Sequence, residues 1–349
     1  MKRILSILLC IVLMLGCVAC KGDGGEGEAS SVPANNPNSQ SSTESTSSES
    51  GEFTLTAATI PTKFKNSGKA ILCWGDSITQ GMGMSKGYSY PEQLQGNIGD
   101  QYQVINAGVP TERASAIMSR AGAIDITLTN DMVFAAGQSS VTLDCYMFSS
   151  GSETIEYFGF GNGLKMDTIK IGDHTFSVTY AGYQSKNDGK YTFTRQNASS
   201  ALTLKKGTKV TFDYSSQYTT DYCHIILMGA NDKGFKDDIP AAIEKYKKMT
   251  ALSDKYIVIV PFYYQNLSLK AEFEAAFGNH VVNVREYLIN DAHEDYGLET
   301  TRGDTACLEA GYVPGTFTYT RNDCHMSDIG YKVLADLVYE KGVELGYWQ

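Results

Sequence analysis

The stretch Ala70-Ile-Leu-Cys-Trp-Gly-Asp-Ser77 decides the fold class of this sequence. Its apolar run ends at Gly75, and such a short run is typical of a strand buried on both faces in a parallel sheet. Asp76 and Ser77 follow directly. A serine hydroxyl therefore stands at the carboxyl end of a strand, where open α/β sheets place their ligands. The stretch predicts an α/β protein with a candidate nucleophile at Ser77.

Strand-like and helical segments alternate around this stretch. Further buried strands are predicted at residues 104–108, 222–228, 256–260 and 280–284. Helices are predicted at residues 90–98, 111–120, 237–253, 269–277 and 327–345. Thr111 is the expected N-cap of the second helix, because threonine side chains accept hydrogen bonds from the first free N–H groups. This alternation predicts a parallel sheet between two layers of helices.

Residues 122–216 follow a different pattern, in which apolar and polar residues alternate. Val141–Phe148 and Lys209–Tyr214 are examples, and turn signals such as Gly172-Asp173 separate the runs. A period of two with tight turns indicates antiparallel strands. The segment is therefore predicted to be a β-domain inserted into the α/β fold.

The N-terminus has the features of a secretory leader. Lys2 and Arg3 precede the apolar run Ile4–Val18, which is shorter than the about 20 residues that span a bilayer. A basic start, a short apolar run and small residues before a cysteine are typical of a cleaved signal. Either Cys17 or Cys20 stands where a bacterial lipoprotein carries its lipid. An ordinary cleaved signal peptide is the alternative.

Residues 21–52 are rich in Gly, Ser, Thr, Glu and Asn, a composition that favours a flexible tether. The sequence thus predicts a secreted protein, lipid-anchored at the outer face of the cell membrane, and touching the membrane only through that anchor. The sequence predicts a signal peptide at residues 1–20, a linker at 21–52, an α/β domain in two parts at 53–121 and 217–349, and the inserted β-domain at 122–216.

The charge balance excludes nucleic acid as a partner. The 349 residues include 29 Lys and Arg against 39 Asp and Glu, a net charge of −10, with no basic cluster to bind phosphates. The eight cysteines lack the Cys/His spacing of zinc sites, so neither a metal nor another cofactor is expected. Spacing allows a disulfide between Cys307 and Cys324 without fixing it.

A serine nucleophile needs a base, and the chain offers one before its last helix. Asp323-Cys324-His325 precedes the helix predicted at residues 327–345. A histidine in reach of a serine can accept its proton. Ser77 and His325 are therefore the candidate catalytic pair.

Four short blocks resemble the SGNH, or GDSL-type, serine hydrolase family. They are Gly75-Asp-Ser77, Asn106-Ala-Gly-Val109, Gly229-Ala-Asn-Asp232 and His325. The resemblance implies a flavodoxin-like three-layer α/β/α fold and a serine esterase mechanism. It also implies that the N–H groups of Ser77 and Gly108 and the side-chain amide of Asn231 form the oxyanion hole.

The catalytic acid departs from the family pattern. The family usually places an aspartate three residues before the histidine, where this chain has Asn322, while Asp323 stands two residues before it. Either Asp323 orients His325, or the site works as a Ser–His dyad. His293, in Asn290–Asp295, has an alternative interpretation as a metal ligand, but a solvated acidic helix end is favoured.

The expected activity is hydrolysis of a carboxylic ester through an acyl-enzyme. A surface protein meets acetyl esters on polysaccharide or peptidoglycan, so these are the expected substrates. A lipase-like or lysophospholipase-like activity is the alternative within enzymes. A carbohydrate-binding surface protein with a vestigial hydrolase domain is the alternative from another class.

Overall fold

The computed structural model describes residues 54–349 apart from 156–167, 182–188, 213–217, 219, 233, 264–268 and 321–322. The predicted leader, the linker, the two candidate lipidation residues Cys17 and Cys20, and Asn322 lie outside the described residues. Within the described part, no helix combines the length and the apolar character that crossing a bilayer requires.

A parallel sheet forms the centre of the α/β part. Its strands are β1 (Lys69–Gly75), β2 (Gln103–Gly108), β13 (Thr220–Leu227), β14 (Tyr256–Ile259) and β15 (Val281–Val282). They lie side by side in the order β2-β1-β13-β14-β15. When these five strands are renumbered 1 to 5 by their order in the chain, they lie side by side in the order 2-1-3-4-5. This is the strand order of flavodoxin-like doubly wound sheets. The prediction of a parallel sheet is confirmed.

Helices cover both faces of this sheet because its strands are apolar on both sides. Alternate residues of β1 point to opposite faces, so Ile71 and Cys73 join one core while Leu72 and Trp74 join the other. The first core includes residues of α2 (Tyr90–Ile98), α6 (Val284–Asn290), α7 (Ala292–Asp295) and α9 (Asp328–Glu344). The second includes residues of α3 (Ala114–Ala121), α4 (Ile239–Thr250) and α5 (Lys270–Phe277).

The helix predicted at residues 111–120 begins later than expected, and Thr111 is not its cap. The backbone of Thr111 has φ +67°, a left-handed conformation that cannot belong to a right-handed helix. The carboxylate of Asp232 instead accepts the N–H of Ala114 at 2.8 Å. The start of α3 is therefore set by a side chain from a distant loop.

Two further differences lie near the end of the sheet. The strand predicted at 280–284 is confined to Val281–Val282, because Val284 already belongs to α6 and His280 lies in a 3₁₀ turn. The short helices α6, α7 and α8 (Arg302–Glu309) were not predicted. Their apolar periodicity extends over too few residues to stand out in a sequence.

A second sheet, antiparallel and twisted around its own core, occupies the middle of the chain. Its strands are β3 (Ile126–Leu128), β5 (Ser140–Asp144), β6 (Phe148–Ser150), β7 (Glu153–Ile155), β8 (Thr168–Ile171), β9 (His174–Ala181), β10 (Lys190–Arg195) and β12 (Lys209–Phe212). A separate ribbon pairs β4 (Met132–Phe134) with β11 (Leu202–Leu204). The predicted antiparallel strands are confirmed; whether residues 122–216 form a separate domain stays a prediction.

Aromatic rings fill the core of the second sheet. Phe148 packs edge-on against Tyr191 and Phe193, and Phe134 stacks on Phe176. Ala116 of α3 also belongs to this core. The second sheet and the parallel sheet therefore share α3 as a packing element.

None of the cysteines within the described residues forms a disulfide. Cys307 is buried and Cys324 is half-buried, and no disulfide joins them. Burial raises the pKa of the Cys73 and Cys223 thiols, which lie inside the parallel sheet. These thiols act as small apolar core residues.

We expect Gly342→Ala to lower the free energy of unfolding by about 1–3 kcal/mol through overpacking. A Cβ at Gly342 would lie 1.8 Å from the buried ring of Trp348, whose indole N–H donates to the Tyr339 carbonyl. Chemical denaturation measures the change. Gly303→Ala is the matched control. A Cβ at Gly303 would have ordinary space around it, because the nearest atom, Thr301 Oγ1, would lie 3.4 Å away. Equal losses in both variants would contradict the packing account.

Candidate active site

The turn after β1 holds Ser77 at the carboxyl edge of the parallel sheet. Ser77 begins the short helix α1 (Ser77–Gln80), and Asp76 caps it by accepting the Ile78 N–H at 3.0 Å. Gly75 has no room for a side chain, because a Cβ would lie 2.0 Å from Thr79 Oγ1. The glycine therefore allows α1 to approach the end of β1 closely, and this contact fixes the position of Ser77.

His325 is carried by a short antiparallel segment before α9. Thr318 pairs with Met326, and the Tyr319 N–H donates to the His325 carbonyl at 3.0 Å. Asp304 anchors the 3₁₀ turn Gly315–Phe317 that leads into this segment, because its buried carboxylate accepts the Thr316 N–H at 2.7 Å. Burial acts to raise the pKa of Asp304, but hydrogen bonds from Thr316 and Thr301 lower it to about 2. The anchor is thus charged at neutral pH.

The structure brings Ser77, His325 and Asp323 into one chain of contacts. The Ser77 Oγ lies 2.8 Å from His325 Nε2, and His325 Nδ1 lies 2.9 Å from Asp323 Oδ1. Ser77 is 6% exposed, while the side chains of His325 and Asp323 are 19% and 21% exposed. Both distances lie in the range that proton transfer requires. The site is therefore recessed yet open to a ligand.

Asp323 is held in a second way, through the backbone of the histidine. Its Oδ1 also accepts the His325 N–H at 2.9 Å, and its Oδ2 accepts the Thr320 hydroxyl at 3.0 Å. Burial acts to raise the pKa of Asp323, but the hydrogen bonds from His325 lower it overall. Displacement by one residue from the family position therefore does not prevent this carboxylate from reaching the imidazole.

Asn231 lies in the loop after β13, the strand next to β1. The loop turns at Gly229, whose φ of +109° and contact with the Phe235 ring leave no room for a side chain. One N–H of the Asn231 amide donates to the Glu112 carbonyl at 3.0 Å. The amide group has two N–H donors, so the second can still bind a ligand. No described residue accepts the Ser77 N–H, which leaves a second donor at the nucleophile.

The N–H of Gly108, the glycine of the predicted oxyanion hole, has a hydrogen-bond partner within the fold. Its N–H donates to the Asn106 side-chain oxygen at 2.9 Å, so the bond that an oxyanion would use is already made. A Cβ at Gly108 would lie 2.2 Å from the Gln80 nitrogen. The glycine is thus required for the close approach of β2 and α1.

A buried ion pair next to this loop was not predicted. The guanidinium of Arg120 contacts the Glu112 carboxylate at 2.7 Å, with both side chains fully buried, and donates to the Ala107 carbonyl at 2.8 Å. The Glu112 carbonyl in turn accepts Asn231. Thr111, beside Glu112, is the non-glycine residue with a positive φ in the described chain. Strained residues persist only where their surroundings hold them, and no sequence motif marks this turn.

One cluster of potential metal ligands occurs among the described residues. It consists of Asp323, Cys324 and His325, whose ligand atoms lie within 4.8 Å of one another. Burial raises the pKa of the Cys324 thiol to about 12, which disfavours the thiolate that binds metals. His293 is not part of it; its ring packs against Phe317 and lies 3.4 Å from Asp304. The acidic residues of the predicted helix end, Asp291, Glu294 and Asp295, are exposed, while the His293 side chain is only 14% exposed.

Asp76 is a buried carboxyl directly before the nucleophile. Burial raises its pKa to about 7, and the nearby carboxylates of Asp232 and Glu112 add to the rise. The unfolded chain has the ordinary value of 3.8, so folding takes up a proton between these two pH values. The stabilisation from protonated Asp76 is complete below pH 3.8 and is lost as the pH rises through about 7.

We expect Asp76→Asn to remove this pH dependence, because an amide keeps the acceptor for Ile78 but does not titrate. The difference in unfolding free energy, variant minus parent, should therefore increase by about 2–3 kcal/mol from pH 5 to pH 8. Urea denaturation at several pH values measures the gain. Asp173→Asn, in an exposed turn, is the control. A gain of the same size in the control, or none in Asp76→Asn, would contradict the assignment.

Comparisons with known proteins give little beyond this geometry. No protein-family model matches the chain, and no curated protein matches it. A solved structure of a peptidoglycan O-acetylesterase is similar at 11% sequence identity, over 80% of this chain and 92% of that chain, with a TM-score of 0.30. A similarity at this level supports no conclusion about the fold or the activity of this chain.

Proposed function

We propose that this chain is a serine ester hydrolase of the SGNH type, with Ser77 as nucleophile, His325 as general base and Asp323 as the acid. The observation that carries the proposal is the continuous set of contacts from Asp323 through His325 to Ser77, at 2.9 and 2.8 Å. A carboxylate, an imidazole and a serine hydroxyl in this order form the arrangement of serine hydrolases on unrelated folds.

In the proposed mechanism, the Ser77 Oγ attacks the ester carbonyl while His325 Nε2 takes its proton. The tetrahedral intermediate collapses when His325 returns that proton to the departing alcohol oxygen, which leaves an acyl-serine. Water then attacks the acyl group while His325 takes its proton. His325 returns this proton to the Ser77 Oγ as the bond between the acyl carbon and Oγ breaks, which releases the carboxylic acid and restores the serine. Asp323 keeps the Nδ1 proton of His325 in place and stabilises the imidazolium.

The developing oxyanion needs donors aimed at it, and two are proposed. They are the Ser77 N–H and the second N–H of the Asn231 amide, whose first N–H is fixed by Glu112. A fixed donor needs no reorganisation during the reaction, which is why such groups supply a large part of catalysis. Gly108 is not proposed as the third donor, because its N–H already binds Asn106.

The proposed substrate is an acetyl ester on an extracellular polysaccharide or on peptidoglycan. The support is the leader-like pattern at residues 1–20, which favours export of the mature chain from the cytoplasm, and such esters occur outside it. The proposed location is the outer face of the membrane, with a lipid on Cys17 or Cys20. The acidic charge of the chain gives no reason to expect a nucleic acid partner.

We expect Ser77→Ala to abolish both hydrolysis of p-nitrophenyl acetate and labelling by a fluorophosphonate probe. The alanine lacks the oxygen that forms the covalent bond in each reaction. Circular dichroism checks that the variant remains folded. Ser119→Ala is the matched control, since this buried helical serine donates only to the Ser115 carbonyl. Retained activity in Ser77→Ala would remove the proposed function.

We expect Asp323→Ala to lower kcat at least 100-fold, because loss of the carboxylate in a serine triad costs about 10⁴ in kcat. Asn322→Ala should lose much less, since the neighbouring amide carries no charge. Steady-state kinetics on p-nitrophenyl acetate compares the two. Near-full activity in both would identify a Ser–His dyad. A rise in activity for Asn322→Asp would instead indicate that the family position is the effective one.

A further inference from the structure

Tyr319 lies opposite His325 in the antiparallel segment that carries the histidine. The two residues are joined by the Tyr319 N–H bond to the His325 carbonyl at 3.0 Å, next to the pairing of Thr318 with Met326. Residues opposite each other in an antiparallel pair project their side chains from the same face. We therefore expect the side chains of Tyr319 and His325 to project from the same face of this segment.

The ring of Tyr319 also contacts the loop that follows the nucleophile. A Cβ built on Gly83 would lie 3.1–3.2 Å from three carbons of the ring, so the ring rests against the Gly83 backbone. The preceding residue, Met82, donates its N–H to the Ser77 carbonyl at 3.0 Å. Tyr319 thus connects the histidine segment to the serine loop, and both contacts fix its position relative to the catalytic pair.

Packing does not account for this side chain. Tyr319 is 55% exposed and Met82 is 50% exposed, although the neighbouring aromatic residues Phe317 and Tyr331 are completely buried. Within the described chain, Tyr319 makes no aromatic stacking contact. An exposed aromatic ring beside a recessed serine is available to a ligand, because its flat apolar face can pack against another apolar face.

The chemistry of ester cleavage decides which part of a substrate meets this ring. The ester carbonyl must lie on Ser77, with its oxygen toward the donors of Ser77 and Asn231. The alcohol oxygen must lie near His325 Nε2, because it takes its proton from there. The alcohol part of the ester is therefore on the side of His325, where Tyr319 is located.

We propose that Tyr319 is the binding platform for the sugar ring that carries the ester. The inference rests on the proposed function and names the part of the substrate that the enzyme selects. A pyranose has an apolar face of C–H groups that matches an aromatic ring, whereas a fatty acyl chain needs an enclosed groove. The cavity that borders Asp323 and Thr318 measures only about 20 Å³, room for little more than one water molecule.

The test compares a glycan ester with a small ester that has no sugar. Rates of acetate release are measured on O-acetylated xylo-oligosaccharides, on O-acetylated peptidoglycan fragments and on p-nitrophenyl acetate, for the parent protein, Tyr319→Ala and Tyr319→Phe. For Tyr319→Ala, the ratio of kcat/KM on the glycan ester to kcat/KM on p-nitrophenyl acetate should fall about tenfold, the scale of one aromatic contact. The fall should come mainly from a higher KM. Tyr319→Phe should retain most of the parent ratio.

A matched control is Tyr146→Ala, which removes an exposed tyrosine in the turn between β5 and β6 and should leave the ratio unchanged. Equal losses on both substrates in Tyr319→Ala would show that the ring only supports the histidine segment, and would overturn the inference. A similar fall of the kcat/KM ratio in Tyr319→Phe would overturn the inference as well, because a contact of the hydroxyl group would then be responsible for the effect.

Failure of the inference can be separated from failure of the proposed function. Hydrolysis of p-nitrophenyl acetate that depends on Ser77, without hydrolysis of either glycan ester, would reject the platform and keep the ester hydrolase. Hydrolysis that survives Ser77→Ala would reject the proposed function itself.

Discussion

The candidate site depends on a close approach of backbones at the carboxyl edge of the parallel sheet. A Cβ at Gly75 would lie 2.0 Å from Thr79 Oγ1 and 2.6 Å from the Leu227 carbonyl, and one at Gly108 would lie 2.2 Å from the Gln80 nitrogen. Helix α1 therefore packs closely against the ends of β1 and β2 only because both positions lack a side chain. Protein interiors have no spare volume to absorb a displaced helix, so any larger residue would move Ser77 away from the imidazole at 2.8 Å.

Buried charges hold the loops around this edge. The carboxylates of Glu112 and Asp232 lie near the Asp76 carboxyl group and raise its pKa, and each of the three is compensated differently. Arg120 pairs with Glu112, Lys245 pairs with Asp232 at 3.1 Å, and Asp76 has a raised pKa. A buried charge without a partner is costly, and so a pair of this kind resists any movement that would separate it. The result is a fixed backbone at Glu112, whose carbonyl orients the Asn231 amide.

Helix α3 connects the antiparallel sheet to the candidate active site. Its first N–H, from Ala114, donates to Asp232, and Arg120 near its other end binds Glu112. Ala116, between them, belongs to the aromatic core of the antiparallel sheet. One helix thus packs against the inserted strands and supports two loops of the candidate site. A core substitution that shifts α3 would reach the Asn231 loop through Asp232, because both residues belong to the same short turn after β13.

The sequence by itself determined the strands, the order of most elements and the residues at the strand ends. Helix α2 spans residues 90–98, as its amphipathic pattern predicts, and Ser77 and Asn231 follow neighbouring strands because parallel strands end at one edge. Tertiary structure decided the start of α3, capped by a carboxylate 118 positions away, and the bond from Gly108 to Asn106. It also decided that Asp323 contacts His325, since a loop does not alternate its side chains as a strand does. Local sequence patterns encode secondary-structure elements, whereas these contacts exist only after distant segments of the chain have packed together.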